Sequence, residues 1–147
     1  MNKLSRIDAS FRDPSGYIFK SDGKYFRVVN NNYKENLDHL ESSGLYENLL
    51  EKGQVLPYRQ VSDIKVDLTE DVYKIILPEQ LGHISYPYEW CFSQLKDAAL
   101  LTLDIQETSL QYGMSLKDSS AYNIQFHHGH AVMIDTLSFE KYEQGLP

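Results

Sequence analysis

The chain has 147 residues, of which 41% are hydrophobic and 24% charged, and a formal net charge of −7. That length suits one domain able to bury a core, and that charge argues against a general nucleic-acid surface and against docking on anionic lipid. No apolar run approaches the roughly 18–20 residues of a membrane helix, and the N-terminus has no apolar segment of the secretory kind. The single cysteine, Cys91, excludes an intrachain disulfide and an ordinary cysteine zinc site, so a cytoplasmic protein is expected.

Residues 1–14 are polar and end in Asp13-Pro14, which suits an arm or a first edge element. Tyr17–Lys20 and Lys24–Val29 are β-prone runs joined by Ser21-Asp22-Gly23, where Asp-Gly supplies the positive φ of a hairpin turn. Asn30-Asn31-Asn32 breaks the second strand and is placed to cap the next element. Tyr33–Lys52 reads as helical, with Leu37, Leu40, Leu45 and Leu49 near one face. Gly44 costs about 1 kcal/mol inside a helix, so one helix or two shorter ones meeting at Ser42-Ser43-Gly44 both fit. Lys52-Gly53 is a C-terminal stop.

Val55–Tyr58 or Tyr58–Val61 forms a short strand. Asp63–Asp71, with its acids, reads as a solvated loop. Tyr73–Leu77 and His83–Tyr86 read as strands, stopped by Pro78 and Pro87. The strongest helix covers about Cys91 to Tyr112, with Phe92, Leu95, Ala99, Leu103 and Leu110 on one face and Leu100, Leu101 and Ile105 widening it. So broad an apolar surface implies cover on more than one side. Gly113 ends this helix. A hairpin comes next, Tyr122–Phe126 and Ala131–Ile134, turned by His127-His128-Gly129-His130. Neighbouring strand residues point to opposite faces, so these histidines read as a turn rather than a metal site. The residues after Asp135 have little to pack with. Cys91 reads as a buried small hydrophobe.

The chemistry concentrates between Leu116 and Thr136. Asp118 precedes Asn123 by five residues, and Asp135 closes the apolar run Ala131–Ile134. Kinases and small-molecule phosphotransferases use this order: a loop Asp that takes the substrate hydroxyl proton, an Asn that binds metal, and a strand-end Asp that binds Mg²⁺. The expected fold is therefore α+β, a protein-kinase-like small lobe over 1–88 followed by the first part of a large lobe over 89–147: long helix, loop and hairpin, truncated. On that reading Asp118 is catalytic, Asn123 and Asp135 hold metal, and Arg27 is the strand cation that holds nucleotide phosphate, with Glu41 or Glu47 as its helix partner. The apparatus is degenerate. It has no glycine-rich loop, Leu116 stands where protein kinases carry His, and Asp135-Thr136-Leu137 lacks the following glycine.

Three blocks carry a resemblance. They are Ser85–Leu103, within which Tyr86-Pro87-Tyr88-Glu89-Trp90 and Ser93-Gln94-Leu95-Lys96-Asp97 are the most specific, Leu116–Asn123, and Ile134–Glu140. The chain resembles the N-terminal segment of a bacterial family of class I S-adenosylmethionine-dependent methyltransferases, some of them nodulation-protein-like. The resemblance covers the chain from about Phe11 to its end. It implies a methyltransferase whose S-adenosylmethionine loop lies in a downstream domain, with no methyl-transfer site on these residues.

Function has two expectations. In the first, the chain is an accessory domain that positions substrate or partner for a methyltransferase, binds no cofactor itself, and is covered along its long helix by that downstream domain or by another copy. In the second, it is a degenerate phosphotransferase or nucleotide-binding module using Mg²⁺ and nucleotide. In the second case Asp118, Asn123 and Asp135 converge within one coordination shell.

Overall fold

The computed structural model describes residues 5–6, 13–64, 71–143 and 145. The chain is α+β with antiparallel sheets and three α-helices among the described residues. It divides into two compact units, Met1–Glu35 with Pro57–Gln80, and Asn36–Leu56 with Leu81–Pro147.

The first unit is a five-stranded sheet of β1 (Ser5–Arg6), β2 (Gly16–Ser21), β3 (Lys24–Asn30), β4 (Tyr58–Val61) and β5 (Val72–Pro78), in the order β1-β2-β3-β5-β4 with every pair antiparallel. Alternation along the strands puts Tyr17, Phe19, Phe26, Val28 and Ile75 into one buried cluster. Phe19 lies directly opposite Phe26, and their rings stack at 5.3 Å. The β2–β3 turn is the expected one. Asp22 and Gly23 both have positive φ, at 50° and 75°, which matches the right-handed twist of the two strands. The edge element expected in residues 1–14 is β1.

The asparagines after β3 do not cap a helix. A bulge at Val29–Asn30 turns the chain, and the Asn30 and Asn32 amides donate to the Pro14 carbonyl at 3.0 and 2.9 Å. Asn31 binds Asp71 through both backbone and side chain. Their side chains thus bind the segment before β2 and the end of the acidic loop instead. Most of that acidic loop, residues 65–70, lies outside the described residues.

The second unit holds most of α1 (Lys34–Ser42) together with α2 (Leu45–Glu51) and α3 (Phe92–Gln111). The helical stretch is two helices, not one. Gly44 sits at φ 88°, a left-handed conformation that costs a residue with a Cβ about 1–2 kcal/mol. Leu37, Leu40, Leu45 and Leu49 are all fully buried, as their spacing predicts. The unit also carries two ribbons, β6 (Met114–Leu116) with β9 (Phe139–Lys141), and β7 (Ile124–His127) with β8 (His130–Met133). Residues 54–56 run beside β8: Leu56 N–H donates to Met133 O at 3.0 Å and Met133 N–H to Gln54 O at 2.9 Å.

Three expectations are corrected here. His83–Tyr86 is not a strand; Ser85 is held instead by the Gln125 side chain, which accepts from Ser85 N at 3.0 Å and donates to Ser85 O at 2.9 Å. One amide thus stands in for a strand neighbour. The residues after Asp135 do pack: Leu137, Ser138 and Phe139 are buried, and β9 pairs with β6. Their polarity favours a loose tail, but β6 supplies a distant strand partner that outweighs it.

The third correction concerns α3. Its buried face is Ala98, Leu101, Ile105, Thr108 and Ser109, packed on β6 and β8, while Phe92, Leu95, Leu100, Leu103 and Leu110 are exposed. The two ribbons cover one side of the helix only, so the second apolar side is left uncovered among the described residues. The buried hydroxyls are satisfied within the helix, Thr108 donating to Asp104 O at 3.0 Å and Ser109 to Ile105 O at 2.6 Å. Gly113, at φ 74°, ends α3 as expected, and His39 Nε2 donates to the carbonyl of Tyr112 at 2.8 Å.

Candidate functional site

The segment from Lys117 to Ser138 folds into a closed loop because both its ends are strands of the same ribbon. Leu116 pairs with Phe139, and Lys117 N–H donates to Ser138 O at 2.8 Å. Inside this frame Asp118 makes a tight side-chain turn, its Oδ1 accepting from Ser120 N at 2.9 Å. Ser120 then caps the short 3-10 turn Ala121–Asn123, its hydroxyl oxygen accepting from Tyr122 N at 3.2 Å.

Asn123 is the hub. Its side-chain Nδ2 donates to Ser138 Oγ at 3.1 Å and to the Asp118 carbonyl at 3.4 Å. Its own carbonyl accepts from Ile134 N at 2.9 Å, so the β7–β8 hairpin delivers Asp135 directly beside it. Asp135 Oδ1 accepts from Leu137 N at 2.9 Å and caps the turn Thr136–Ser138. Asp118, Asn123 and Asp135 are thereby drawn into one neighbourhood. Asp118 is exposed there, while Asn123 and Asp135 are half-buried.

Each carboxylate holds its own local turn through one oxygen. Two carboxylates with an amide oxygen form a hard donor set of the kind that suits Mg²⁺. Arg27 belongs to the other unit. On β3, its Nη2 lies 3.9 Å from Asp13 Oδ2. Ser138 and Gln125 went unnoticed in the sequence. Gln125, a polar residue between the apolar Ile124 and Phe126 of a strand, carried a usable signal, whereas Ser138 carried none.

The histidine segment is a hairpin turn, with His128 and Gly129 at φ 51° and 77°. Cys91 is exposed rather than buried, because it stands at the N-cap of α3, where Gln94 Oε1 accepts from its N–H at 3.1 Å. The Ser93 hydroxyl, 3.2 Å from the sulfur, and then the Gln94 backbone N–H pull the thiol below its ordinary value. A lowered thiol holds more thiolate at neutral pH. Iodoacetamide should accordingly alkylate Cys91 faster than free cysteine at pH 7, and Ser93→Ala should slow it; equal rates for the parent protein and for free cysteine would contradict this.

Fold and site together define a class: an α+β protein with antiparallel sheets that carries a strand-framed Asp–Asn–Asp loop and hairpin. No family model matches the chain. It is similar to the nodulation protein NoeA of Rhizobium meliloti (strain 1021), with 30% identity over 141 residues, covering 95% of this chain and 29% of that protein. This is a nodulation-protein-like relationship, and the chain spans less than a third of the length of that relative. No helix among the described residues is long and apolar enough to cross a membrane.

Proposed function

We propose that this chain is an accessory domain of a NoeA-like, S-adenosylmethionine-dependent methyltransferase, positioning substrate or partner in the cytoplasm for a methyl-transfer site on another domain. The match, nearly all of this chain against less than a third of the relative, supports the reading as one domain of a longer protein, and the methyl-transfer part rests on the resemblance of the blocks Ser85–Leu103, Leu116–Asn123 and Ile134–Glu140. Two features add support. Adenosyl sites of doubly wound folds lie where parallel strands feed helices through a close turn, whereas the paired strands described here are antiparallel. Both loop carboxylates already serve their own turns.

A second reading is favoured by one specific observation. The order long helix, short strand, Asp-bearing loop, hairpin and strand-end Asp, with β6 paired to β9 across the loop, is the order a kinase-like large lobe would call for. In that reading Asp118 takes a hydroxyl proton and Asn123 and Asp135 hold Mg²⁺, in a degenerate phosphotransferase.

Calorimetry separates the two. Titration of this chain with S-adenosylmethionine should give no binding heat, and titration with ATP and Mg²⁺ should give none either. Micromolar binding of S-adenosylmethionine would sink the accessory reading. Micromolar binding of ATP with Mg²⁺, lost on Asp135→Ala, would establish the second.

A further inference from the structure

Five large apolar side chains of α3 stand in water: Phe92 at 82% exposed, Leu95 at 44%, Leu100 at 50%, Leu103 at 65% and Leu110 at 45%. At 100° per residue they and Ala99 form one stripe, turned away from the buried Leu101 and Ile105. Along its middle, Phe92, Lys96, Ala99, Leu103, Gln106 and Leu110 recur at alternating four- and three-residue steps. That is a heptad seam, about 27 Å long at 1.5 Å per residue. Beside Ala99 the surface sinks into a hollow of about 360 Å³, between Leu95, Leu103 and the loop residues Ser119 and Ala121.

We propose that this stripe is the seam of a homodimer, in which α3 packs antiparallel on α3 of a second copy about a two-fold axis level with Leu101. The occupant is set by the stripe's self-complementarity. In this register directly facing positions lie equally far on either side of Leu101: Phe92 meets the second copy's Leu110, and Ala99 meets its Leu103. The small residue thus faces the large one, and the hollow beside Ala99 receives the leucine. Leu100 meets its own counterpart near the axis. Charge agrees with shape, because Lys96 comes beside the second copy's Glu107 and the symmetry makes that pair twice. A parallel arrangement sets Lys96 on Lys96 and Ala99 on Ala99, leaving like charges together and the hollow unfilled. An isologous interface needs the same patch to match itself reversed, and this stripe does.

Sedimentation velocity of the 147-residue chain between about 1 and about 100 µM is the test. The parent should shift from monomer to dimer within this range. Leu103→Glu, at a side chain that is exposed in the isolated chain, should sediment as a folded monomer throughout, with unchanged circular dichroism. Lys96→Glu and Glu107→Lys should each weaken the dimer about tenfold, and the double exchange should return it close to the parent. A monomeric parent at every concentration overturns the proposal. So does a dimer indifferent to Leu103→Glu, or one that the double exchange fails to rescue, since either places the contact elsewhere.

Discussion

Phe139→Ala should lower the stability of this protein by about 3–5 kcal/mol, the cost of removing a large side chain from a packed core. Phe139 is 1% exposed, and it is the β9 residue opposite Leu116, at the closure of the Lys117–Ser138 loop. For a chain of this size the loss corresponds to a fall in melting temperature on the order of 10 °C. Thermal unfolding followed by circular dichroism measures it. Glu140→Ala, one residue on and exposed, is the control and should stay within about 0.5 kcal/mol of the parent. A change below about 1 kcal/mol for Phe139→Ala would return the segment after Asp135 to the loosely attached tail that its polarity suggests.

Gln125→Leu should be the next most costly change, at about 2–4 kcal/mol. Leucine keeps the volume but offers nothing to the N–H and the C=O of Ser85, and each unsatisfied backbone group costs about 1–3 kcal/mol. Ser85 also accepts from Trp90 Nε1 at 2.9 Å, and the Trp90 ring meets Phe126 edge-on at 5.1 Å. Loss of the clamp should therefore reach the single tryptophan. The expected readouts are faster hydrogen exchange at the Ser85 amide and a red shift of Trp90 emission. Parent-like exchange in the variant would show that water replaces the amide at no cost, and that the segment 81–86 is held by its other contacts.

The loop itself was legible because its chemistry is local. Asp118, Ser120 and Asn123 close turns within five residues of one another, and short polar side chains at such spacing favour that geometry in any fold. Asp135 could be placed beside Asn123 because a four-residue hairpin with a glycine turn fixes its register. Ser138 could not be found, since its bond to Asn123 spans fifteen residues and depends on β9 pairing with β6. Gln125 and Ser85, forty residues apart, are a stronger case of the same kind.

Elements whose cause lies within a turn or two could be read from the residues alone: the Asp22-Gly23 hairpin, the span and the ends of α3, and the Asp118–Asn123 loop. Each rests on backbone preference or short-range periodicity, which nothing distant overrides. Which face of α3 is buried, whether residues 136–141 pack, and how Ser85 is held depended on contacts between distant parts of the chain. A helix apolar on two sides carries no mark of which side its neighbours will take. Here β6 and β8 took the side with Ala98, Leu101, Ile105, Thr108 and Ser109 and left Phe92, Leu95, Leu100, Leu103 and Leu110 outside.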